Sequence, residues 1–346
     1  MPTTDEVLAG VDLTGRTALV TGVSAGLGVE TARALTSAGA RVVGAARDLG
    51  KAKGALDGID VELVELDLAD LESVRRCAAE VLERYDSLNL LINNAGVMAP
   101  PLQRTAQGFE LQIGTNHLGH FLLTRLLEPL LVAGAPARIV NVSSRGHLRG
   151  GIDFDDPHWR TRDYDKWKAY GQSKTANVLF AVELERRLGP KGVHAYAVHP
   201  GVIFTELSRH LTEEDLAVLS SGSSARGPLT LVDVPTGAAT QVWAATTPEL
   251  EGRGGIYLEN CAVAEPTPGD MSGGYADYAV DPETAARLWE WSEQEVGCSD
   301  LRHQASVPPS ADTPRSVPFN AGASAHADER TSLSGRRDDL PAGDTR

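Results

Sequence analysis

Ala18-Leu19-Val20-Thr21-Gly22-Val23-Ser24-Ala25-Gly26-Leu27-Gly28 joins a short apolar run to a glycine-rich turn, and a helical pattern continues from Leu27 to Ser37. A strand that turns through glycines into a helix sets two phosphate-holding devices side by side. Glycine lets the backbone approach a pyrophosphate, and the helix start presents N–H groups with no partner inside the helix. Thr21, Gly22, Ser24, Gly26, Leu27 and Gly28 are therefore candidate contacts to a dinucleotide. Taken alone, the stretch also reads as an ordinary glycine-rich turn.

Working outward, short β-branched runs alternate with helical patterns. Strands are expected at Ala18–Thr21, Arg41–Ala45, Val61–Leu66, Leu88–Asn93, Arg138–Ser143, Val193–Val198 and Gly255–Leu258. Helices are expected near Leu27–Ser37, Leu71–Tyr85, Gly108–Leu131, Asp165–Leu188, Val234–Thr246 and Pro282–Val296. Continuously apolar strands separated by helix-length segments imply a parallel sheet covered on both faces. The expectation is one doubly wound α/β domain over residues 1–298 with a seven-stranded parallel sheet. Residues 299–346 are rich in Pro, Ser, Ala, Gly, Asp and Arg and lack apolar periodicity, so a disordered tail is expected there.

The 346 residues carry a formal net charge of -15, which argues against a nucleic-acid partner or an anionic membrane surface. A single arginine or a helix N-terminus can still hold a phosphate locally. Cys77, Cys261 and Cys298 are far apart in sequence and show no metal-ligand spacing, so free thiols in a reducing compartment are expected. With no basic segment leading into an apolar one at the N-terminus and no long apolar run, the expectation is a soluble, cytoplasmic protein.

The chemistry gathers at the strand ends. The second strand ends Ala46-Arg47-Asp48. A carboxylate at that tip would bind the ribose 2′-OH of NAD, whereas an arginine favours the 2′-phosphate of NADP; Arg47 points to NADP(H), with NAD(H) possible. Asp67, with Leu68 beside it, is placed to meet an adenine edge, or else to cap the next helix. Asn94, Ala95 and Gly96 follow the fourth strand and would line the same cleft, though the triplet also makes a plain turn. Asn116 lies within a helical stretch, where a lone Asn is usually solvated or marks a kink. His117 and His120 read as structural or exposed. Ser143 and Ser144 close the fifth strand, 26 residues before Tyr170 for the second of them. Tyr170 and Lys174 stand one turn apart on one helix face, and an ammonium beside a phenol eases loss of its proton. Such a pair suits protonation of a developing alkoxide or its reverse.

Thr21-Gly22-x-x-x-Gly26-x-Gly28, Asn93-Asn94-Ala95-Gly96, Asn116, Ser144, Tyr170-x-x-x-Lys174 and Pro200-Gly201 followed by Thr205 occur in that order over about Leu13 to Val296. The set resembles the short-chain dehydrogenase/reductase family in its compact form. The stretches around Asn116 and Tyr170 are most similar to its retinol-dehydrogenase and WW-domain-oxidoreductase branch. The resemblance implies a Rossmann fold, a nicotinamide cofactor and an Asn–Ser–Tyr–Lys tetrad. Tyr170 would be the general acid/base and Ser144 would polarise the carbonyl, with Ser143 the rival serine. Lys174 would bind the nicotinamide ribose and lower the phenol's pKa, and Asn116 would hold a relay water. Pro200, Gly201, Ile203 and Thr205 would meet the carboxamide. Ala25 stands where many NADP-dependent relatives carry a basic residue, leaving Arg47 as the main 2′-phosphate contact. A homodimer or homotetramer through the two long helices is the family expectation.

Two segments are expected to wall the substrate. The insertion Gly150-Gly-Ile-Asp-Phe-Asp-Asp-Pro-His158-Trp159 reads as a solvated loop rather than a metal site. Residues 203–228 carry spaced leucines, then Ser220-Ser-Gly-Ser-Ser224, and read as an amphipathic lid with a hinge. Neither offers an obvious cation, so a neutral, mostly apolar aldehyde or ketone is expected. The rival readings are a non-catalytic NADP(H)-binding sensor and an epimerase or dehydratase. The complete tetrad argues against the first; the glycine spacing and tail argue against the second.

Overall fold

The computed structural model describes residues 1–203, 211–215, 231–267 and 273–298. One sheet runs through it in the order β3-β2-β1-β4-β5-β6-β7-β8. Its strands are β1 (Thr17–Thr21), β2 (Arg41–Ala46), β3 (Val61–Glu65), β4 (Leu90–Asn93), β5 (Ala137–Val142), β6 (Val193–His199), β7 (Ile256–Glu259) and β8 (Ala262–Val263). The first seven are parallel, as expected. The eighth is an addition: two residues pair antiparallel to β7 after a turn at Asn260 and Cys261, both at φ 54°. A two-residue strand is too short to carry a periodic signal.

Alternate residues of each strand feed opposite cores. Leu19, Val43, Leu91, Ile139 and Ala195 face α4 (Leu71–Arg84), α6 (Gly119–Ala133) and α7 (Lys166–Leu188). Ala18, Val20, Val42, Ile92 and Val140 face α2 (Gly26–Ser37) and α8 (Val234–Thr246). Burial on both faces explains why the strands read as continuous apolar runs. The chain leaves β1 for β2 on one side and reaches β4 on the other, so a crevice opens at the carboxyl ends of β1 and β4.

The stretch expected as one helix over 108–131 is broken. A short turn α5 (Leu111–Ile113) passes into a π-helical segment, Gly114–Leu118, before α6 begins. Two further short helices, α1 (Thr4–Val7) and α3 (Leu49–Ala55), carry no strong periodicity in the sequence. The last helix, α9 (Pro282–Val296), lies over α6 and α7. Its Trp289 ring carries the guanidinium groups of Arg125 at 5.1 Å and Arg187 at 4.2 Å and meets the Phe121 ring edge-on at 5.0 Å. Ser292 bonds His117, and Arg125 faces Glu293 at 3.6 Å. The same helix packs along α7.

The Ser/Gly hinge of the lid, most of its expected helix, Thr205 and the expected tail at 299–346 lie outside the described residues. Among the described residues, no helix is long and apolar enough to cross a membrane. No group of three His, Cys, Asp or Glu side chains there is arranged to hold a metal.

Candidate active site

The glycine turn between β1 and α2 is built for close approach. Gly22 has φ +81°, and a Cβ there would lie 3.0 Å from Ala95. A Cβ on Gly28 would lie 2.2 Å from the Gly22 carbonyl oxygen. The helix that follows is unusual here. Helices α1, α3, α4, α5, α7, α8 and α9 each have a Thr, Asp or Glu side chain accepting from their first N–H groups. At α2 the N-cap is Ala25, which offers no such acceptor. Its first N–H groups face the crevice without a side-chain partner, the arrangement a pyrophosphate completes.

Thr21 ties the crevice together. Its hydroxyl oxygen accepts from the N–H groups of Asn94 at 2.9 Å and Ala95 at 3.0 Å, and it contacts Nε2 of His120 at 2.9 Å. Asn94 Nδ2 donates back to the Thr21 carbonyl at 2.8 Å, so this amide braces β1 against β4. His120 Nδ1 in turn meets the Asn116 carbonyl at 3.1 Å. The histidine is therefore structural, as expected, and burial holds it near 4, well below an ordinary imidazole. His117 is likewise buried and lowered to about 3.

At the tip of β2, Arg47 is exposed and makes no hydrogen bond or ion pair with the described residues. Asp48 is spent elsewhere: it caps α3, accepting from Lys51 N at 2.9 Å. After β3, Asp67 accepts from Ala69 N at 2.9 Å, and the cap of α4 is Asp70 instead. The Leu68 side chain is buried and its backbone packs on Gly119, where a Cβ would lie 2.5 Å from the Leu68 carbonyl oxygen. Gly201 sits at φ +96° after β6, and Ile203 packs into a notch at Gly237 that also meets Leu27.

The tetrad converges at the ends of β4 and β5. Tyr170 and Lys174 lie on one face of α7, with Lys174 Nζ 5.7 Å from the centre of the phenol ring. The ammonium donates to the Val142 carbonyl at 3.0 Å. Burial lowers it to about 8 and raises the phenol to about 12. The groups that pull the phenol back down are the Ser144 hydroxyl and the positive charge of Arg149. Desolvation is the largest influence on the phenol and outweighs both. The rival serines separate cleanly. Ser143 is buried and donates to the Lys174 carbonyl at 2.8 Å, while Ser144 faces Tyr170.

Asn116 sits inside the π segment, a local form that is frequent at functional sites. Its Oδ1 accepts from Val97 N at 2.8 Å, and Nδ2 donates to the Val97 carbonyl at 3.0 Å and to Ser173 Oγ at 2.9 Å. One Oδ1 lone pair is all that remains for a water. Ser173 itself donates to the Tyr170 carbonyl at 2.8 Å, so Asn116 braces the helix turn that carries the phenol. Gly96 brings the β4 loop against this pair: a Cβ there would lie 3.0 Å from Asn116 Oδ1 and 3.7 Å from Lys174 Nζ.

Several contributors carry no motif. A Cβ on Gly146 would lie 2.7 Å from Cε1 of Tyr170. Trp167, one turn before Tyr170, meets the phenol edge-on at 6.4 Å and carries the Arg149 guanidinium over its ring at 5.1 Å. Aromatic spacing of three on the helix was the available signal for Trp167. In the lid, Asp215 is buried and accepts from Lys166 Nζ at 2.6 Å and Trp167 Nε1 at 3.2 Å, docking that segment onto the start of α7. The insertion is not the solvated loop expected. Pro157, His158 and Trp159 are buried, and His158 packs its ring on Phe109 at 5.1 Å beside the Glu110 cap.

Known proteins similar to this chain share one family. The family model described as short chain dehydrogenase matches residues 16–216. Retinol dehydrogenase 13 of Homo sapiens is 43% identical over 293 residues, covering 82% of this chain and 85% of that one. The short-chain dehydrogenase/reductase prx1 of Penicillium roqueforti is 43% identical over 292 residues, with the same coverage of 82% and 85%. Among solved structures, an uncharacterised Mycobacterium paratuberculosis protein superposes with a TM-score of 0.66 at 39% identity, covering 83% of this chain and 95% of that one. An NADP active-site complex of Pseudomonas aeruginosa RhlG does so at 0.58 and 26%, covering 72% and 95%. The chain belongs to the short-chain dehydrogenase/reductase family, oxidoreductases that bind NAD(P)(H).

Proposed function

We propose that this chain interconverts a carbonyl and its alcohol with NADP(H) as the preferred dinucleotide. The observation that carries the reading is the convergence of Ser144, Tyr170 and Lys174 at the crevice that the uncapped start of α2 opens onto. The dinucleotide, when bound, supplies or accepts a hydride. The first N–H groups of α2 would hold its pyrophosphate, and the two free donors of Lys174 would hold ribose hydroxyls. Tyr170 gives its proton to the carbonyl oxygen, or takes it back from the alcohol. Ser144 donates to that same oxygen and fixes the carbonyl's orientation. Asn116 and Ser173 keep the phenol's helical turn in place.

Preference for NADP(H) rests on two neighbours. Arg47 has no partner among the described residues at the β2 tip, and Asp48, the carboxylate next to it in sequence, is committed to capping α3. The substrate we infer is a small molecule with a mostly apolar body. The test is steady-state reduction of a panel of aldehydes and ketones with NADPH and NADH, by wild type and Arg47→Ala. Loss of a charge-assisted phosphate contact should cut the NADPH preference by about 10- to 100-fold and leave NADH turnover unchanged. An unchanged preference would remove Arg47 from the cofactor site.

A further inference from the structure

Arg149 ends the short 3₁₀ turn that begins at Ser144, so it shares a loop with the hydroxyl assigned to the carbonyl. Its guanidinium lies over Trp167 at 5.1 Å, and Trp167 in turn meets Tyr170 edge-on. Among the described residues it is the one partly buried arginine without a protein hydrogen bond or ion pair. The other cations around the site are engaged. Arg145 Nε bonds His199 at 3.2 Å, Lys166 holds Asp215 at 2.6 Å, and Lys168 faces Asp165 at 3.8 Å. Burial lowers Arg149 from the ordinary arginine value, opposed by the fields of Asp165 and Tyr170.

A guanidinium stacked on an indole presents its edge N–H groups outward, in the planar fork that matches a carboxylate. Leaving it partly desolvated without a protein acceptor costs free energy that an anionic ligand returns. We propose that Arg149 anchors a carboxylate carried by the substrate, on the side of Trp167 next to the Tyr170 phenol. This rests on the carbonyl-reducing reading of the site and revises its substrate from neutral to an apolar body with one anionic end. The cation escapes notice in the sequence because it precedes the insertion by one residue and belongs to no motif.

Terephthalaldehydic acid and its methyl ester present the same aldehyde with and without the charge, and their meta isomers vary the reach. Wild type should prefer an acid to its ester. Arg149→Gln should lose about 100-fold in kcat/KM on the acid, mainly through KM, and at least about tenfold less than that on the ester, where only the charge near the Tyr170 phenol is missed. Arg149→Lys, which keeps the charge without the fork, should recover part of the loss. Equal falls on acid and ester would make Arg149 a tuner of the Tyr170 phenol and overturn the proposal, as would no fall at all. If wild type reduces neither aldehyde with either dinucleotide, the catalytic reading fails on these probes, and Arg149 is judged by calorimetric titration. Benzoate should bind the NADPH-loaded protein, methyl benzoate should not, and Arg149→Gln should abolish benzoate binding. No benzoate binding to wild type, or equal binding to the variant, would overturn the proposal.

Discussion

A methyl group at position 146 would stand 2.7 Å from Cε1 and 2.9 Å from Cδ1 of Tyr170. Nothing else in that turn could yield cheaply, because the phenol is itself packed against Trp167. Gly146→Ala should therefore displace the ring and lower kcat by about 10- to 100-fold, with NADPH affinity kept within about twofold. Wild-type turnover in that variant, with an unchanged melting temperature, would show that the ring is not positioned from this side. At this scale the sequence was partly legible. Tyr170 and Lys174 stand out by spacing, since four residues on a helix place two side chains on one face. Ser143 and Ser144 could not be separated by sequence alone, because adjacent residues at a strand end differ only in which way the pleat turns them. Gly146 and Arg149 are single residues in a loop, where no periodicity marks a contact.

Helices and strands were legible wherever burial imposes a period. The seven parallel strands and the helices at 71–84, 166–188, 234–246 and 282–296 fall where the apolar pattern places them. The π segment at Gly114–Leu118 was not visible, because its signature is one extra residue in a turn rather than a change in composition. Its effect is local and definite: Asn116 is turned inward onto Val97 and Ser173 rather than toward solvent. Likewise, the missing cap at Ala25 is a feature that only comparison among helices reveals. Seven other helices have a side chain accepting from their first N–H groups, and α6 continues directly from the π segment, which leaves α2 beside the glycine turn as the helix that starts afresh without a cap. The pattern of α9 predicted a helix, but the sequence held no signal for where it docks. That docking buries α7 on its outer side, so most of its residues are buried.

Over the whole molecule, buried imidazoles set the acid limit. Burial lowers His117 and His199 to about 3 and His120 and His147 to about 4. In the unfolded chain all four titrate near about 6.5. Above that pH both states are uncharged at these positions and nothing is gained. Between about 6.5 and 4 the unfolded chain takes up protons that the native one refuses, so stability falls as pH falls. Each contributes at most about 1.4 kcal/mol per pH unit, and together about 5. Urea midpoints should drop steeply from pH 7 to pH 5; equal midpoints would mean these sites admit the proton after all. The same packing that excludes protons assembles the site from β1, β5 and α7, and its central claim is that Tyr170 moves the proton. The direct measurement is single-turnover hydride transfer from bound NADPH to an aldehyde, followed by loss of nicotinamide absorbance, in wild type and Tyr170→Phe. Equal NADPH affinity with a rate about a thousandfold lower in Tyr170→Phe is the expected result. Transfer at the wild-type rate would contradict it.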